Sequence, residues 1–312
     1  MIINKPKFWD YKKPNYLSHL LLPLTFPILI NNIFLKLKKN KKNIGIKTIC
    51  VGNIYVGGTA KTPLTIKISQ ILEGLNFKTA TIKKFYKNQV DEQKLLSNKT
   101  NIYCSRKRLN SLNDALKDNI DVAIFDDGLQ DASMSYDLSF VCFNNQNWIG
   151  NGRLIPAGPL RENIRSILKY DAIFLNGNQK DNSTIVNSIK KINSNIKIFE
   201  THYKPININK LNINDKYIIF SGIGNPITFK ETLLKHKFNI IKTIDFPDHY
   251  QYTKKDIGKI KSIANNLKAK ILTTEKDFVK ISNEDSQNIN FLEINLVIEK
   301  QQELILFIKS KI

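Results

Sequence analysis

Lys61 and Thr62 follow the glycines Gly57 and Gly58 in VGGTAKTP (56–63). A glycine turn, then lysine and a hydroxyl residue opening a helix, is the arrangement that binds phosphate. Backbone N–H groups surround the oxygens, the lysine neutralises charge and the hydroxyl ligates Mg²⁺. Gly57, Gly58, Thr59, Ala60, Lys61 and Thr62 are therefore the candidate nucleotide-binding set. The loop is altered, because Tyr55 and Ala60 fill the two positions where G-x-x-x-x-G-K-[ST] has glycine. Pro63 suits the first helical turn, where its missing N–H matters least. Asp126 and Asp127 close DVAIFDD (121–127), the place of a metal-binding carboxylate at a strand's C-terminal end. GNGRLIPAGPLRE (150–162) is too rich in Gly and Pro for a regular element. It carries Arg153, Arg161 and Glu162, which can clamp a phosphorylated substrate. Each segment alone also reads as a tight turn or a long connection.

The elements that must position these residues form a series. KTICVGN (47–53) runs into the glycine loop, and PLTIKISQILEGL (63–75) repeats at helical spacing. KTATIKK (78–84), TNIYCS (100–105), DVAIFDD (121–127), DLSFVCF (137–143) and DAIFLNG (171–177) are further strands. Short apolar runs alternating with helices imply a doubly wound, mostly parallel α/β sheet. A second, smaller α/β layer begins near residue 205. It comprises KYIIFSGIGNP (216–226), a helix from Pro226, FNIIKTIDF (238–246), a helix from about residue 253, AKILTTEKD (269–277) and INFLEINL (289–296). KPININKLNIND (204–215) reads as the linker. The expected division is an N-terminal segment 1–44, a phosphate-loop domain 45–204 and a second domain 205–312, with a cleft between the last two.

Hydrophobic residues make up 42% of the 312, which fits a globular chain, and three scattered cysteines argue against a disulfide framework or zinc site. The formal charge of +21 points to a polyanionic partner, although abundant Lys, Asn and Ile throughout also fit a compositional bias. Residues 1–47 hold ten lysines against one aspartate. Among them lies LSHLLLPLTFPILINNIFL (17–35), nineteen residues that as one helix span roughly 28 Å. His19, Pro23, Pro27, Asn31 and Asn32 interrupt it, so an anchor lying on an anionic membrane face fits better than a crossing. No aromatic-basic platform supports a nucleic-acid partner.

VGNIYVGGTAKTP, DDGLQ, GNGRLIPAGPLRE, FSGIGNP and TTEKD, in that order, closely resemble the tetraacyldisaccharide 4'-kinase family, over most of the chain. The resemblance implies a membrane-associated, two-domain P-loop kinase at the cytoplasmic face of the inner membrane. It would use ATP and Mg²⁺ to phosphorylate the 4'-hydroxyl of a tetraacylated glucosamine disaccharide 1-phosphate. By that resemblance Lys61 and Thr62 are the phosphate-loop pair, and Asp91 in QVDEQKLL is the base for the acceptor hydroxyl. His249 in FPDHYQY supports that aspartate. Asp126, Asp127 and Glu162 fall on metal or active-site acids and Gln130 on an active-site amide, which joins Arg153 and Arg161 of the 150–162 loop as the candidate substrate set. Several positions depart from the family pattern. Ala60 replaces a glycine, Asp131 a histidine and Tyr136 an arginine. KKFYKN (83–88) stands, shortened, where the family writes S-R-G-Y and more, and one glycine is missing before Asp91. A competing expectation is a lapsed enzyme that binds nucleotide or acidic lipid without phosphoryl transfer.

Overall fold

The computed structural model of the protein describes residues 5–37, 45–87, 89–177 and 181–312. Seven strands, β1 (Lys47–Gly52), β2 (Thr79–Lys84), β3 (Ile102–Ser105), β4 (Val122–Asp126), β5 (Leu138–Asn144), β6 (Ala172–Asn176) and β7 (Lys197–Pro205), pair in parallel within one large sheet. Four more, β8 (Lys216–Ser221), β9 (Asn239–Asp245), β10 (Lys270–Thr274) and β11 (Ile289–Leu292), make a smaller parallel sheet in the order β11-β10-β8-β9. The central strands of the large sheet are apolar on both faces because helices cover both. Ile49, Ile68, Phe140 and Phe174 pack on one side, Cys50, Ile82 and Phe125 on the other. β1 lies between β4 and β5, so chain order reverses beside it. Crevices at such reversals, outside the strands' C-terminal ends, are where α/β sheets bind ligands.

The expected single strand over 289–296 is corrected. It breaks at Glu293, and the last strand, β12 (Ile294–Ile298), returns to the large sheet and pairs antiparallel with β7. The helix Gln301–Lys309 follows it there, burying Leu304 and Ile308 in the large sheet's core. The second layer thus ends near Glu293 instead of running to residue 312. Two chain crossings join the layers, and they are tied together where Asn207 accepts from the Glu293 N–H and Ile206 N–H donates to the Glu293 carbonyl. Strand β7 had no counterpart in the sequence reading, being half exposed and polar at its ends. The helices expected from Pro226 and near 253 are Pro226–Lys235 and Lys254–Asn266, the latter opened by a Thr253–Asp256 capping box.

The expected N-terminal anchor helix is broken into shorter pieces. Helices Tyr16–Leu20 and Phe26–Leu37 flank a 3-10 turn, Leu22–Thr25, that contains Pro23. Among the described residues no helix is long and apolar enough to cross a membrane. The segment is fastened to the loop 150–162. Trp9 donates to the Pro156 carbonyl at 3.0 Å, its own carbonyl accepts from Asn151, and Asn32 donates to the Arg161 carbonyl. Tyr16, Leu20, Leu24, Phe26 and Ile33 remain exposed. The lysines at 38–42 lie outside the described residues.

Candidate active site

The phosphate loop connects β1 to the helix Lys61–Glu73. Asn53, fully buried at the start of the loop, shapes it by donating to the Tyr55 carbonyl and the Thr59 hydroxyl. Gly57 has a φ of 138°, which only glycine adopts readily, and Ala60 has a φ of 67°. An alanine held left-handed is strained by about 1–2 kcal/mol. The helix start needs that conformation, which explains why glycine is common there. Tyr55, at the other altered position, is buried and bonded by its hydroxyl to Lys5 and Asp10, so it ties the loop to the N-terminal segment.

Thr62, Asp126 and Lys83 converge because their elements are neighbours. Asp126 ends β4, which pairs with β1 on one side and with β2 on the other, where Lys83 stands directly opposite it. Thr62 Oγ1 donates to Asp126 Oδ2 at 3.1 Å and Lys83 Nζ donates to the same oxygen at 2.6 Å. Asp126 Oδ1 is buried and has no hydrogen-bond partner. An orphaned carboxylate oxygen beside a threonine hydroxyl fits Mg²⁺, which takes one or two protein ligands and fills the rest with water and phosphate. Among the described residues no group of three or more His, Cys, Asp or Glu forms an all-protein metal cage, in keeping with that habit. Asp127, also left-handed at φ 57°, turns the other way and accepts from Arg161 at 3.0 Å, with Lys61 Nζ 4.0 Å off. Burial opposes its ionisation, but Lys61 and Arg161 outweigh that and hold its carboxyl below the ordinary range.

Across the cleft, the turn after β9 brings Asp248 and His249, and the short helix Glu275–Phe278 brings Lys276. His249 Nδ1 lies 3.1 and 3.0 Å from the two oxygens of Asp91, which is fully buried. An ionised carboxylate only accepts, so Nδ1 carries the proton. Burial raises the Asp91 pKa, yet the His249 hydrogen bond and the Lys276 charge bring it below the ordinary value. Lys276 Nζ sits 3.6 Å from Asp91, 3.3 Å from Glu92 and 3.3 Å from Asp248. Burial likewise opposes ionisation of Glu92, while Lys276 and Lys83 drive its pKa well down. His249 has a φ of 60°. Three candidate residues (Ala60, Asp127 and His249) are thus non-glycine and left-handed, strain of a kind that collects at functional sites. Gly224 of the small sheet rests on the phosphate loop so closely that a Cβ there would stand 2.7 Å from the Gly58 nitrogen.

The cleft between the sheets has a volume of about 930 Å³. Gly57, Gly58, Thr59, Ala60, Lys61, Thr62, Asp127, Arg161 and His249 line it, as does Glu92, whereas Asp91 and Asp126 are buried and do not. Glu162 is not brought to the metal pair. Its Oε1 accepts from Gln130 and Tyr170 and its Oε2 from Lys169, so it braces Gln130, which in turn donates to the Asn53 carbonyl. Arg153 is absent from the cleft lining, and its backbone closes the 150–162 loop through Leu160 and Asn151. Asp131 pairs with Arg108, which also donates to the Asp127 carbonyl, and Tyr136 donates to the Gly128 carbonyl. Two of the departures therefore support the D-D-G turn. Sequence reasoning missed Lys83, Asp248 and Lys276 as site residues. Lys276 lies within the quoted TTEKD and Lys83 opens the quoted KKFYKN, but neither side chain was singled out.

A family model described as tetraacyldisaccharide-1-P 4'-kinase matches residues 18–312. The tetraacyldisaccharide 4'-kinase of Pelagibacter ubique is 48% identical over 306 residues, covering 97% of this chain and 96% of its own. That of Rickettsia bellii is 33% identical over 91% of both chains. Among solved structures, LpxK of Aquifex aeolicus, crystallised with ATP, matches with a TM-score of 0.70 at 22% identity, covering 94% of this chain and 99% of that one.

Proposed function

The chain belongs to the tetraacyldisaccharide-1-P 4'-kinase family, and from that premise we infer how its cleft carries out the family's reaction. The activity is transfer of the γ-phosphate of ATP, with Mg²⁺, to the 4'-hydroxyl of a tetraacylated glucosamine disaccharide 1-phosphate in lipid A synthesis. The loop Gly57–Thr62 holds the phosphates, with Lys61 neutralising the charge that spreads over the transferred oxygens. Thr62 and Asp126 are the residues that would hold Mg²⁺, which when bound screens the phosphate charge and fixes the in-line geometry. Asp127 and Arg161 set the field around Lys61.

Asp91 receives the proton of the 4'-hydroxyl as the new O–P bond forms and the bond to the β-phosphate breaks, releasing ADP. The loose transition state of phosphoryl transfer demands orientation more than strong basicity, so a carboxylate suffices. His249 fixes the orientation of that carboxylate and Lys276 keeps it ionised. The observation that carries these assignments is the Asp91–His249 pair at 3.0 Å, made between a helix of the large layer and a turn of the small one. The assay is ³²P transfer from γ-labelled ATP to tetraacyldisaccharide 1-phosphate in mixed micelles. Labelled lipid is expected; nucleotide binding without transfer would favour the lapsed reading.

The exposed Tyr16, Leu20, Leu24, Phe26 and Ile33 form the surface we assign to an anionic bilayer on the cytoplasmic side, with the protein lying on it. The helix Phe26–Leu37, twelve residues long, spans roughly 18 Å, well short of a hydrocarbon core. Leu20→Glu with Phe26→Glu is expected to weaken flotation with anionic vesicles while ATP binding holds. Unchanged flotation would reject this surface.

A further inference from the structure

Lys83 is a buried cation that the mechanism above leaves unused. Its side chain is almost fully enclosed and does not line the cleft. It donates at 2.6 Å to Asp126 Oδ2 and at 2.6 Å to Glu92 Oε2. Those carboxylates belong to different elements. Asp126 ends β4, and Glu92 lies in the first turn of the helix Val90–Lys99, next to Asp91. Gln89 at the N-cap provides no side-chain hydrogen bond, so this helix start lacks a side-chain cap and is tied locally by Gln89 N–H and Gln93 Nε2 to the Tyr86 carbonyl. The chain Thr62 to Asp126 to Lys83 to Glu92 is therefore a continuous bonded path from the phosphate loop to the residue beside Asp91.

We propose that Lys83 is a positioning residue that locks the first turn of this helix to the metal carboxylate, so that Asp91 faces both His249 and the transferred phosphate. A lysine in register with Asp126 supplies a fixed point for this helix start, because adjacent parallel strands hold it there. A buried ammonium held by two carboxylates is rigid in a way a surface pair is not, since Lys83 or Asp126 left alone would be an uncompensated buried charge.

This rests on Asp91 acting as the base, and the test separates the two. Full-length protein with ¹⁵N-labelled histidine is compared as wild type, Lys83→Met, Lys83→Arg and Glu92→Gln, free of metal and nucleotide. The readouts are the His249 Nδ1 resonance, melting temperature and ATP affinity, then kcat and KM for the lipid. Lys83→Met is expected to shift the His249 resonance and lower kcat by on the order of 10²-fold, with KM and ATP affinity changed little. Lys83→Arg keeps the charge and is expected to restore most of both signals. Glu92→Gln leaves the Lys83–Asp126 pair intact and is expected to reproduce the loss, with Lys276→Met as the control for the contacts that Glu92 also makes to Lys276 and His249. A lower melting temperature with an unmoved resonance and normal kcat in folded Lys83→Met or Glu92→Gln overturns the proposal. An active Asp91→Ala protein would instead overturn the base assignment, whatever the resonance does.

Discussion

The two halves of the site are built on different principles. On the large sheet, Thr62, Asp126 and Lys83 sit at the ends of adjacent strands or one turn into the following helix, and strand register sets their spacing. On the small sheet, Asp248, His249 and Lys276 come from a turn and a four-residue helix, and ion pairs across the gap align them. Each sheet buries its own apolar clusters. The contacts between them are largely polar, such as Lys99 with Glu275, Gln146 with Glu231 and Lys94 with the Val279 carbonyl. Polar contacts of this kind allow layers to separate and close again around two substrates. The nucleotide half is therefore prebuilt within one layer, while the base and its histidine come from two.

The largest expected effect breaks the prebuilt half. Lys61→Ala should lower kcat by on the order of 10³-fold or more, with the fold kept, because Lys61 neutralises charge that develops on the transferred phosphate. Normal turnover in a folded Lys61→Ala protein would remove the phosphate-loop reading. Next comes the assembled half. Asp91→Ala and His249→Ala should each reduce kcat by on the order of 10²-fold with little change in ATP affinity. The double variant should be hardly worse than the poorer single one, as for groups acting together, and full additivity in steady-state kinetics would argue against the pairing.

Lys276→Met sharpens the comparison through pH. Asp91 and Glu92 have pKa values below their ordinary 3.8 and 4.5, so they add stability that is present above those values and lost as pH falls through the depressed ones. Removing Lys276 should raise both, so that the acid loss of melting temperature starts at a higher pH than in wild type. An unchanged acid profile would show that Lys276 does not govern these carboxylates. The smallest effect is at Ala60. Glycine relieves the left-handed strain but adds freedom to the unfolded chain, so Ala60→Gly should leave stability within about 1 kcal/mol and activity near wild type. A clear loss of activity would mean the Ala60 methyl, packed into the large sheet's core, positions the loop.

Local pattern alone determined a great deal here. Strand, glycine turn and Lys61-Thr62 in immediate succession have one common structural solution, and five motifs in order carried the family. The departure at Ala60 was visible too, although its left-handed backbone was not. Tertiary structure alone decided which sheet each strand joins, since INFLEINLVI has the same apolar alternation whether it serves one sheet or is divided between two at Glu293. It also separated the acids. Asp126, Asp127 and Glu162 look alike in sequence, yet Asp126 keeps a free buried oxygen, Asp127 faces two cations and Glu162 is consumed by Gln130, Tyr170 and Lys169. Lys83 shows the limit most sharply. In a chain with this many lysines one more carries no signal, and only the register of β2 against β4 places its ammonium between the buried Asp126 and the cleft-lining Glu92.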